Sequence, residues 1–187
     1  MMNSTRSVVI LTHLDEKTIG TKTIYQGRII DVQVEEVILP NGKKGMREVV
    51  KHPGAVAVIA KTENDKYLFV RQYRKPLERT IVEIPAGKVE KNEDPSETVK
   101  RELYEETGYK CEQINHLISF YTSPGFANEI IHLYEASHLI EGEQHTEEDE
   151  FVDVLELTLD EAQQLIEQQE IIDAKTVYAV LYLQSKK

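Results

Sequence analysis

The chain has 187 residues, with 22 Lys and Arg against 33 Asp and Glu, and its net charge is −11 at neutral pH. This acidic balance argues against a nucleic-acid or anionic-membrane partner, and a phosphorylated ligand would need a divalent cation between itself and the protein. The single cysteine excludes an intrachain disulfide, no secretory signal opens the chain, and no apolar run nears the roughly 20 residues of a membrane span. We therefore expect a cytoplasmic protein.

The first fifty residues are predicted to form β structure. Ile30, Val32 and Val34 alternate with polar residues, which is the period of a half-buried strand. Asn41-Gly42 then gives a strong hairpin signal before a return strand. We expect a β subdomain at 1–50 that mediates dimerisation, followed by a larger domain at 51–187.

The larger domain is predicted to mix strands and helices. A second hairpin is expected from two strands, 55–61 and 67–73, around a turn at 63–66. Further strands are expected at 80–84 and near 113–121, 129–136 and 151–157. This pattern, with helices at intervals, predicts an α/β or α+β fold.

Two of the three predicted helices lie near the end of the chain. One follows Thr158, with Glu161 three residues on as a capping pair. Its apolar face is predicted to carry Ala162, Leu165 and Ile166. The other begins after Asp173, and its predicted buried residues are Val177, Val180 and Leu181.

The remaining helix, from Pro95 to Thr107, has clear boundary signals. Asp94 is its expected N-cap, Glu97 would complete a capping box, and Pro95 occupies the first helical position. Gly108 lies just past the end, where a glycine commonly terminates a helix.

This helix carries an unusual concentration of carboxylates. Val99 and Leu103 mark its buried stripe, while Glu102 and Glu106 share one edge of that stripe and Glu105 lies beside Glu102. Like charges at this spacing repel, and a buried carboxylate adds a desolvation cost, so a hard cation such as Mg²⁺ or Mn²⁺ is expected there. The alternative is a solvated acidic face in which Arg101 and Lys100 pair with Glu105 and Glu97.

The segment around this helix resembles the Nudix box, the signature of the Nudix hydrolase superfamily. Gly87 is followed after five residues by Glu93 and after seven more by the run Arg101 to Tyr109. Tyr109 is a mild departure from the aliphatic residue commoner there. The resemblance implies a mixed β-sheet between helices, with an N-terminal antiparallel sheet. It implies metal binding by Glu102, Glu105, Glu106 and the Ala86 carbonyl, catalytic roles for Glu105 and Glu106, and structural roles for Gly87, Glu93, Arg101 and Gly108.

Other stretches resemble the ADP-ribose pyrophosphatase subfamily, particularly its Bacillus type. Pro124 lies fifteen residues after Tyr109, and the stretches 47–50, 52–56, 71–74, 83–87 and 173–176 also match its pattern. Taken alone, Pro124-Gly125 is an ordinary turn. The resemblance implies Mg²⁺-dependent hydrolysis of ADP-ribose to AMP and ribose 5-phosphate.

The resemblance also implies which residues bind substrate. Arg74 would hold the diphosphate, Lys88 would assist, and Ser123 and Glu129 would line the ribose side. Arg28, Ile29, Arg47 and Glu48 would reach the nucleotide, commonly from the other subunit of a domain-swapped homodimer.

The acidic stretch 146–150 would supply the general base. Glu148 would take the proton from water and Glu150 would bind metal, although the two roles could be exchanged. The alternative is a flexible, solvated acidic run.

Three alternatives to this assignment remain open. The substrate could be a sugar nucleotide such as GDP-mannose, or an oxidised nucleotide. The chain could instead be a non-catalytic sensor of ADP-ribose, although the three carboxylates of the box are intact. Zinc chemistry is not indicated, because His52, His132 and His145 show no zinc spacing and are interpreted as structural or surface residues.

Overall fold

The structure, a computed structural model, describes residues 12–146 and 151–186. Within these ranges it contains ten β-strands, three α-helices and two 3-10 turns, at Thr12–Leu14 and Lys75–Leu77. The chain divides into two compact units. Of the described residues, the first unit comprises those up to His52 together with Gly125–Asn128, and the second comprises Pro53–Pro124 and those from Glu129 onward.

The first unit is an antiparallel sheet of β1 (Lys17–Gln26), β2 (Asp31–Ile38) and β3 (Lys44–Lys51). The predicted hairpin between β2 and β3 is confirmed: Gly42 has φ of 81°, which favours glycine, and its N–H donates to the carbonyl of Leu39. Val50 bridges to Ala127, which ties the segment 125–128 to β3. Several large apolar side chains of this unit are exposed, namely Ile19, Ile24, Tyr25, Ile29 and Met46.

The second unit contains the other strands and all three described helices. One sheet has the order β7-β4-β9-β8 and the other has the order β10-β5-β6. The strands are β4 (Ala55–Ala60), β5 (Tyr67–Arg74), β6 (Arg79–Glu83), β7 (Ala86–Lys88), β8 (Lys110–Tyr121), β9 (Ile130–Ile140) and β10 (Val152–Leu157). The helices are α1 (Pro95–Thr107), α2 (Leu159–Glu167) and α3 (Ala174–Ser185).

The prediction that β4 and β5 form a hairpin is wrong. Lys61 bridges to Tyr67 around the predicted turn, but the pairing stops there. β4 pairs in parallel with β9 and antiparallel with β7, whereas β5 lies between β6 and β10. β4 is almost continuously buried and β5 is buried at Leu68–Val70, and both strands are central in their own sheets. β4 pairs with the distant β9, and β5 pairs with the distant β10 on one edge and with the next strand, β6, on the other. A local turn signal does not reveal such partners.

Helices cover both sides of the strands. Alternate strand residues, including Val58 and Leu68, pack with Val99 and Leu103 of α1. The intervening residues, including Phe69, pack against α2 and α3. This confirms a mixed α/β fold in which the strand layer lies between helices, with a separate N-terminal antiparallel sheet.

The predicted caps of the first two helices are only partly right. Asp94 caps α1, but its carboxylate accepts from the Ser96 N–H at 2.8 Å, and the expected capping box is wrong because Glu97 is bonded to Lys100 instead. The capping box of Thr158 and Glu161 at the start of α2 is confirmed.

The buried face of α3 differs from the prediction at one position. Val180 is buried as expected, but Leu181 is exposed and Leu183 is buried in its place. The buried stripe follows Thr176, Val180 and Leu183, which share one side of a helix with 3.6 residues per turn.

The described part of the chain contains no helix that is long and apolar enough to span a membrane.

Candidate active site

Local structure fixes the orientation of α1. Its N-cap is Asp94, and Gly108 ends it with φ of 78°, so the helix has the predicted bounds. Val99 and Leu103 are fully buried against the strands, which sets the rotation of the helix about its axis. This rotation turns the edge that carries Glu102 and Glu106 toward β7.

Glu106 is a buried carboxylate held by the backbone of β7. The residue is only 1% exposed, and its Oε2 accepts from the Ala86 N–H at 2.9 Å. A buried charge is costly unless hydrogen bonds or a cation compensate it. The predicted metal ligands Ala86 and Glu106 are therefore adjacent in space although twenty residues apart in sequence.

Glu102 lies directly over Gly87. A Cβ built on Gly87 would be 1.9 Å from the carboxyl carbon of Glu102, a distance that no side chain tolerates. A side chain at this position would have to displace the Glu102 carboxylate, so glycine lets that carboxylate lie against β7. The first glycine of the box thus has a steric role.

Arg101 binds three carboxylates at once. Its Nε and Nη2 donate to the two oxygens of Glu93 at 3.1 and 3.0 Å, and its Nη1 lies 2.8 Å from Glu105 Oε2 and 2.9 Å from Glu102 Oε1. The hydrogen bonds from Arg101 lower the pKa of Glu93 to about 2, and the same contacts raise the pKa of Arg101. The bidentate pair joins the loop after β7 to the helix.

The ion pairs of the alternative interpretation are also present. Lys100 lies 2.8 Å from Glu97, and Arg101 lies 2.8 Å from Glu105. Lys100 and Glu97 are on the outer side of the helix, whereas Glu106 is buried. A solvated face therefore accounts for Glu97 but not for Glu106.

The carboxylates of α1 are oxygen donors of the kind that a divalent cation binds. Glu102 and Glu105 each place an oxygen within 3 Å of the same nitrogen, Arg101 Nη1, so their oxygens already converge on one positive charge. Oxygen-only donors match Mg²⁺ or Mn²⁺. As they stand, the side chains at 12–146 and 151–186 include no group of three His, Cys, Asp or Glu that could hold a metal ion. A cation here would need the Ala86 carbonyl, water, or a shift of Arg101.

The remaining predicted residues of the second unit each have local contacts or partial exposure. Arg74 Nε donates to Glu83 Oε2 at 2.7 Å, and Lys88 Nζ lies 3.0 Å from Glu90. Glu129 accepts from the Thr122 hydroxyl at 2.6 Å, and Ser123 is half-buried. The predicted base Glu148 and metal ligand Glu150 lie outside the described residues.

The predicted nucleotide-binding residues belong to the first unit. Arg47 Nε donates to Glu16 Oε2 at 2.8 Å, which holds the guanidinium at the surface of that unit. Glu48, Arg28 and Ile29 are exposed.

The predicted surface or structural histidines do not form a zinc centre with one another in the described residues. His132 Nδ1 lies 2.7 Å from the Ser119 hydroxyl, which also lies 2.8 Å from His116 Nε2. Burial and the neighbouring His116 lower the pKa of His132. The His145 ring lies tilted by 58° against that of Tyr104 of α1, with ring centroids 5.4 Å apart.

Two sets of contacts in the second unit were not predicted from the sequence. Gln144 Nε2 donates to the Glu106 carbonyl at 2.7 Å and to the Val152 carbonyl at 3.2 Å, which links the end of α1 to β10. Lys175 and Glu83 form a buried ion pair at 2.5 Å. Both stretches around this pair resembled the subfamily, but no local pattern indicates that their side chains meet.

Comparison with known proteins places these features in a family. The NUDIX domain model matches residues 50–180, and the model described as nucleoside diphosphate sugar hydrolase N-terminal domain matches residues 16–50. The ADP-ribose pyrophosphatase of Bacillus subtilis is 56% identical over 176 residues, which cover 93% of this chain and 95% of that one. The methanol dehydrogenase activator of Bacillus methanolicus is 62% identical over 172 residues, covering 91% and 93% of the two chains. A crystal structure of an ADP compounds hydrolase has the same fold, with a TM-score of 0.80 at 19% identity over 91% of this chain and 93% of that one.

Proposed function

The chain belongs to the Nudix family, and from this premise we propose that it hydrolyses the diphosphate bond of ADP-ribose, giving AMP and ribose 5-phosphate. The main support is that the carboxylates of Glu102 and Glu105 converge on one positively charged nitrogen, Arg101 Nη1, on the helix that also carries the buried Glu106. The 56% identity to an ADP-ribose pyrophosphatase supports the choice of substrate.

We assign metal binding, diphosphate binding and structural support to different residues of the chain. Glu102, Glu105, Glu106 and the Ala86 carbonyl would hold Mg²⁺, with Mn²⁺ as a substitute. A bound divalent cation neutralises diphosphate charge and acidifies water. Arg74 binds the diphosphate, and Glu93 with Arg101 keeps the loop and helix in register. Glu148 as the base and Glu150 as a further ligand rest on the sequence pattern.

The test is product analysis with a chelator control. Purified protein with ADP-ribose and Mg²⁺ should yield AMP and ribose 5-phosphate in equal amounts, and EDTA should abolish both. The absence of both products above the EDTA control would reject the proposal. Titration of Mg²⁺ and Mn²⁺ into the chelated enzyme identifies the preferred ion.

The substrate could also be a nucleoside diphosphate sugar, an alternative supported by the family model that matches residues 16–50. Relative kcat/KM values for ADP-ribose, GDP-mannose and an oxidised nucleotide would rank the substrates. A higher value for GDP-mannose would move the assignment to that class.

A second candidate function follows from the relative that is named a methanol dehydrogenase activator. With 62% identity across 91% of the chain, activation of an alcohol dehydrogenase is a specific alternative or additional role. The rate of purified methanol dehydrogenase should be measured with the wild-type protein and with Glu106→Gln. Activation by both proteins would indicate a binding effect, whereas activation by the wild type alone would tie it to hydrolysis.

We further propose a cytoplasmic, domain-swapped homodimer in which residues 1–50 form the dimerising subdomain and residues 51–187 the hydrolase domain. The exposed apolar side chains of the first unit support a partner for that sheet. Sedimentation of the full chain should give twice the mass of 21.5 kDa. Fractionation of cells that express the protein checks its location.

A further inference from the structure

Glu83 is a buried carboxylate with a cation on each oxygen. Its side chain, at the end of β6, is 4% exposed. Oε2 accepts from Arg74 Nε on β5 at 2.7 Å, and Oε1 accepts from Lys175 Nζ on α3 at 2.5 Å. Because each oxygen has its own donor, the plane of the carboxylate is fixed.

In the described residues, the guanidinium of Arg74 donates a hydrogen bond through Nε alone. Nε is used by Glu83, and no residue at 12–146 or 151–186 accepts from its two terminal nitrogens. The side chain remains 39% exposed. An arginine held at Nε keeps its two terminal N–H groups for bidentate binding of a phosphate.

Strand alternation places Arg74 on the α1 side of the sheet. Leu68 packs with Val99 and Leu103 of α1, and the pairing of β5 with β10 is regular from Tyr67 to Gln72. Residue 74 has the same parity as residue 68, so both side chains lie on the same face of β5. The pairing of β5 with β6 is regular from Val70 to Arg74, so no bulge reverses this alternation. The guanidinium therefore belongs to the face that the carboxylate helix covers.

Lys175 anchors this arrangement to the first turn of α3. Its side chain is 9% exposed, and Nζ also lies 2.8 Å from Asp173 Oδ1 at the helix N-cap. Thr176 in the same turn accepts from the Ile84 N–H at 3.0 Å. The start of α3 thus binds the chain on either side of the Glu83–Ile84 peptide bond.

Stability alone is a weak reason to bury these charges. Desolvation of a buried ion pair offsets most of its attraction, and apolar residues of similar volume are often equally stabilising. A guanidinium that must point in one direction does need such a carboxylate. We propose that Glu83, held by Lys175, is a positioning residue that aims the terminal nitrogens of Arg74 at the diphosphate of the substrate; this inference rests on the proposed function.

The main test is a double-mutant cycle in kcat/KM for ADP-ribose. Arg74→Ala should raise KM roughly 10- to 100-fold with a smaller change in kcat, the range expected for a lost charged hydrogen bond. Glu83→Gln places an amide N–H against one of the two cations and should raise KM about fivefold or more. The double variant should match Arg74→Ala. Effects that multiply independently would overturn the proposal.

Two further variants separate positioning from a structural role. Lys175→Met should raise KM as Glu83→Gln does, and Lys175→Arg, which keeps the cation, should restore most of the wild-type value. Glu170→Gln is the matched control, because Glu170 pairs with Arg71 at 2.9 Å on the opposite face of the same strand. Its KM should equal the wild-type value. A rise in KM as large as that of Glu83→Gln would assign both effects to general loosening of the fold.

A binding measurement keeps this inference distinct from the proposed function. Inorganic diphosphate with Mg²⁺ can be titrated into each variant without turnover. If the wild type fails to hydrolyse ADP-ribose, the proposed function is rejected, and the same cycle in diphosphate affinity still judges Glu83. Diphosphate affinity that depends on Arg74 but not on Glu83 would reject the positioning role, as would affinity independent of Arg74.

Discussion

Glu102 occupies the space in which any side chain at Gly87 would begin. The contact joins the first residue of the box to its helix, fifteen positions later. The glycine is required by this close approach and not by a positive φ, since its backbone is part of β7. Changing residue 87 therefore tests the position of a predicted metal ligand without altering the ligand itself.

Gly87→Ala is expected to lower kcat by about 10- to 100-fold, because the new methyl group must displace the Glu102 carboxylate. The Mg²⁺ concentration for half-maximal activity should rise as well. Steady-state kinetics over a Mg²⁺ series checks both. Gly20→Ala is a suitable control, since a Cβ there meets only ordinary contacts at 3.8 Å. Wild-type kinetics in Gly87→Ala would show that the position of the Glu102 carboxylate against β7 is not needed for activity.

The guanidinium of Arg101 contacts both Glu102 and Glu105, so it should compete with a divalent ion for these carboxylates. Arg101→Gln should destabilise the metal-free protein by about 1–3 kcal/mol, which corresponds to a fall in Tm of several degrees. Added Mg²⁺ should then raise Tm more in this variant than in the wild type, because the carboxylates lack their cation. Thermal unfolding with and without Mg²⁺ measures this.

Lys100→Gln is the matched control for Arg101→Gln. Lys100 lies on the same helix and pairs, among the described residues, only with the exposed Glu97, a contact worth about 0.5 kcal/mol or less. Its Mg²⁺-dependent shift in Tm should equal that of the wild type. Equal Mg²⁺-dependent shifts in Tm for the wild type and both variants would show that Arg101 does not compete with the metal ion.

Much of the carboxylate helix could be predicted from sequence because its signals are local. Asp94, Pro95 and Gly108 fixed both ends, and the apolar spacing of Val99 and Leu103 gave the buried face. The capping box was wrong: Glu97 pairs with Lys100 one turn on, and the Asp94 carboxylate accepts from the Ser96 N–H. Such a choice of partner is not encoded in spacing.

Contacts between distant segments of the chain could not be predicted from the sequence. The pairing of β4 with β9 joins segments about seventy-five residues apart, and no turn residue signals it. The ion pair between Glu83 and Lys175 spans 92 positions and depends on where α3 begins over the sheet. Both depend on how distant segments pack together, and no local sequence pattern signals them.

The depressed pKa of Glu93 predicts a pH dependence of stability. Its pKa falls from an ordinary value of 4.5 to about 2 because Arg101 binds the ionised form. The stabilisation is therefore fully present above about pH 4.5 and is lost as the pH falls toward 2. In urea unfolding between pH 5 and pH 2, Glu93→Gln should show a shallower decrease in the free energy of unfolding than the wild type. Parallel curves for the two proteins would show that the pair contributes nothing in this window.

Glu106→Gln separates chemistry from binding. The amide oxygen can still accept from the Ala86 N–H, so the fold and the position of β7 should persist. Loss of one charged ligand should lower kcat by about three orders of magnitude, while the Kd for ADP-ribose changes little. Calorimetric titration and single-turnover kinetics measure the two quantities, with Glu97→Gln on the outer side of α1 as control. Undiminished turnover in Glu106→Gln would show that Glu106 is not a metal ligand. If the wild-type protein itself shows no turnover but it and both variants bind ADP-ribose, the protein is a sensor of ADP-ribose.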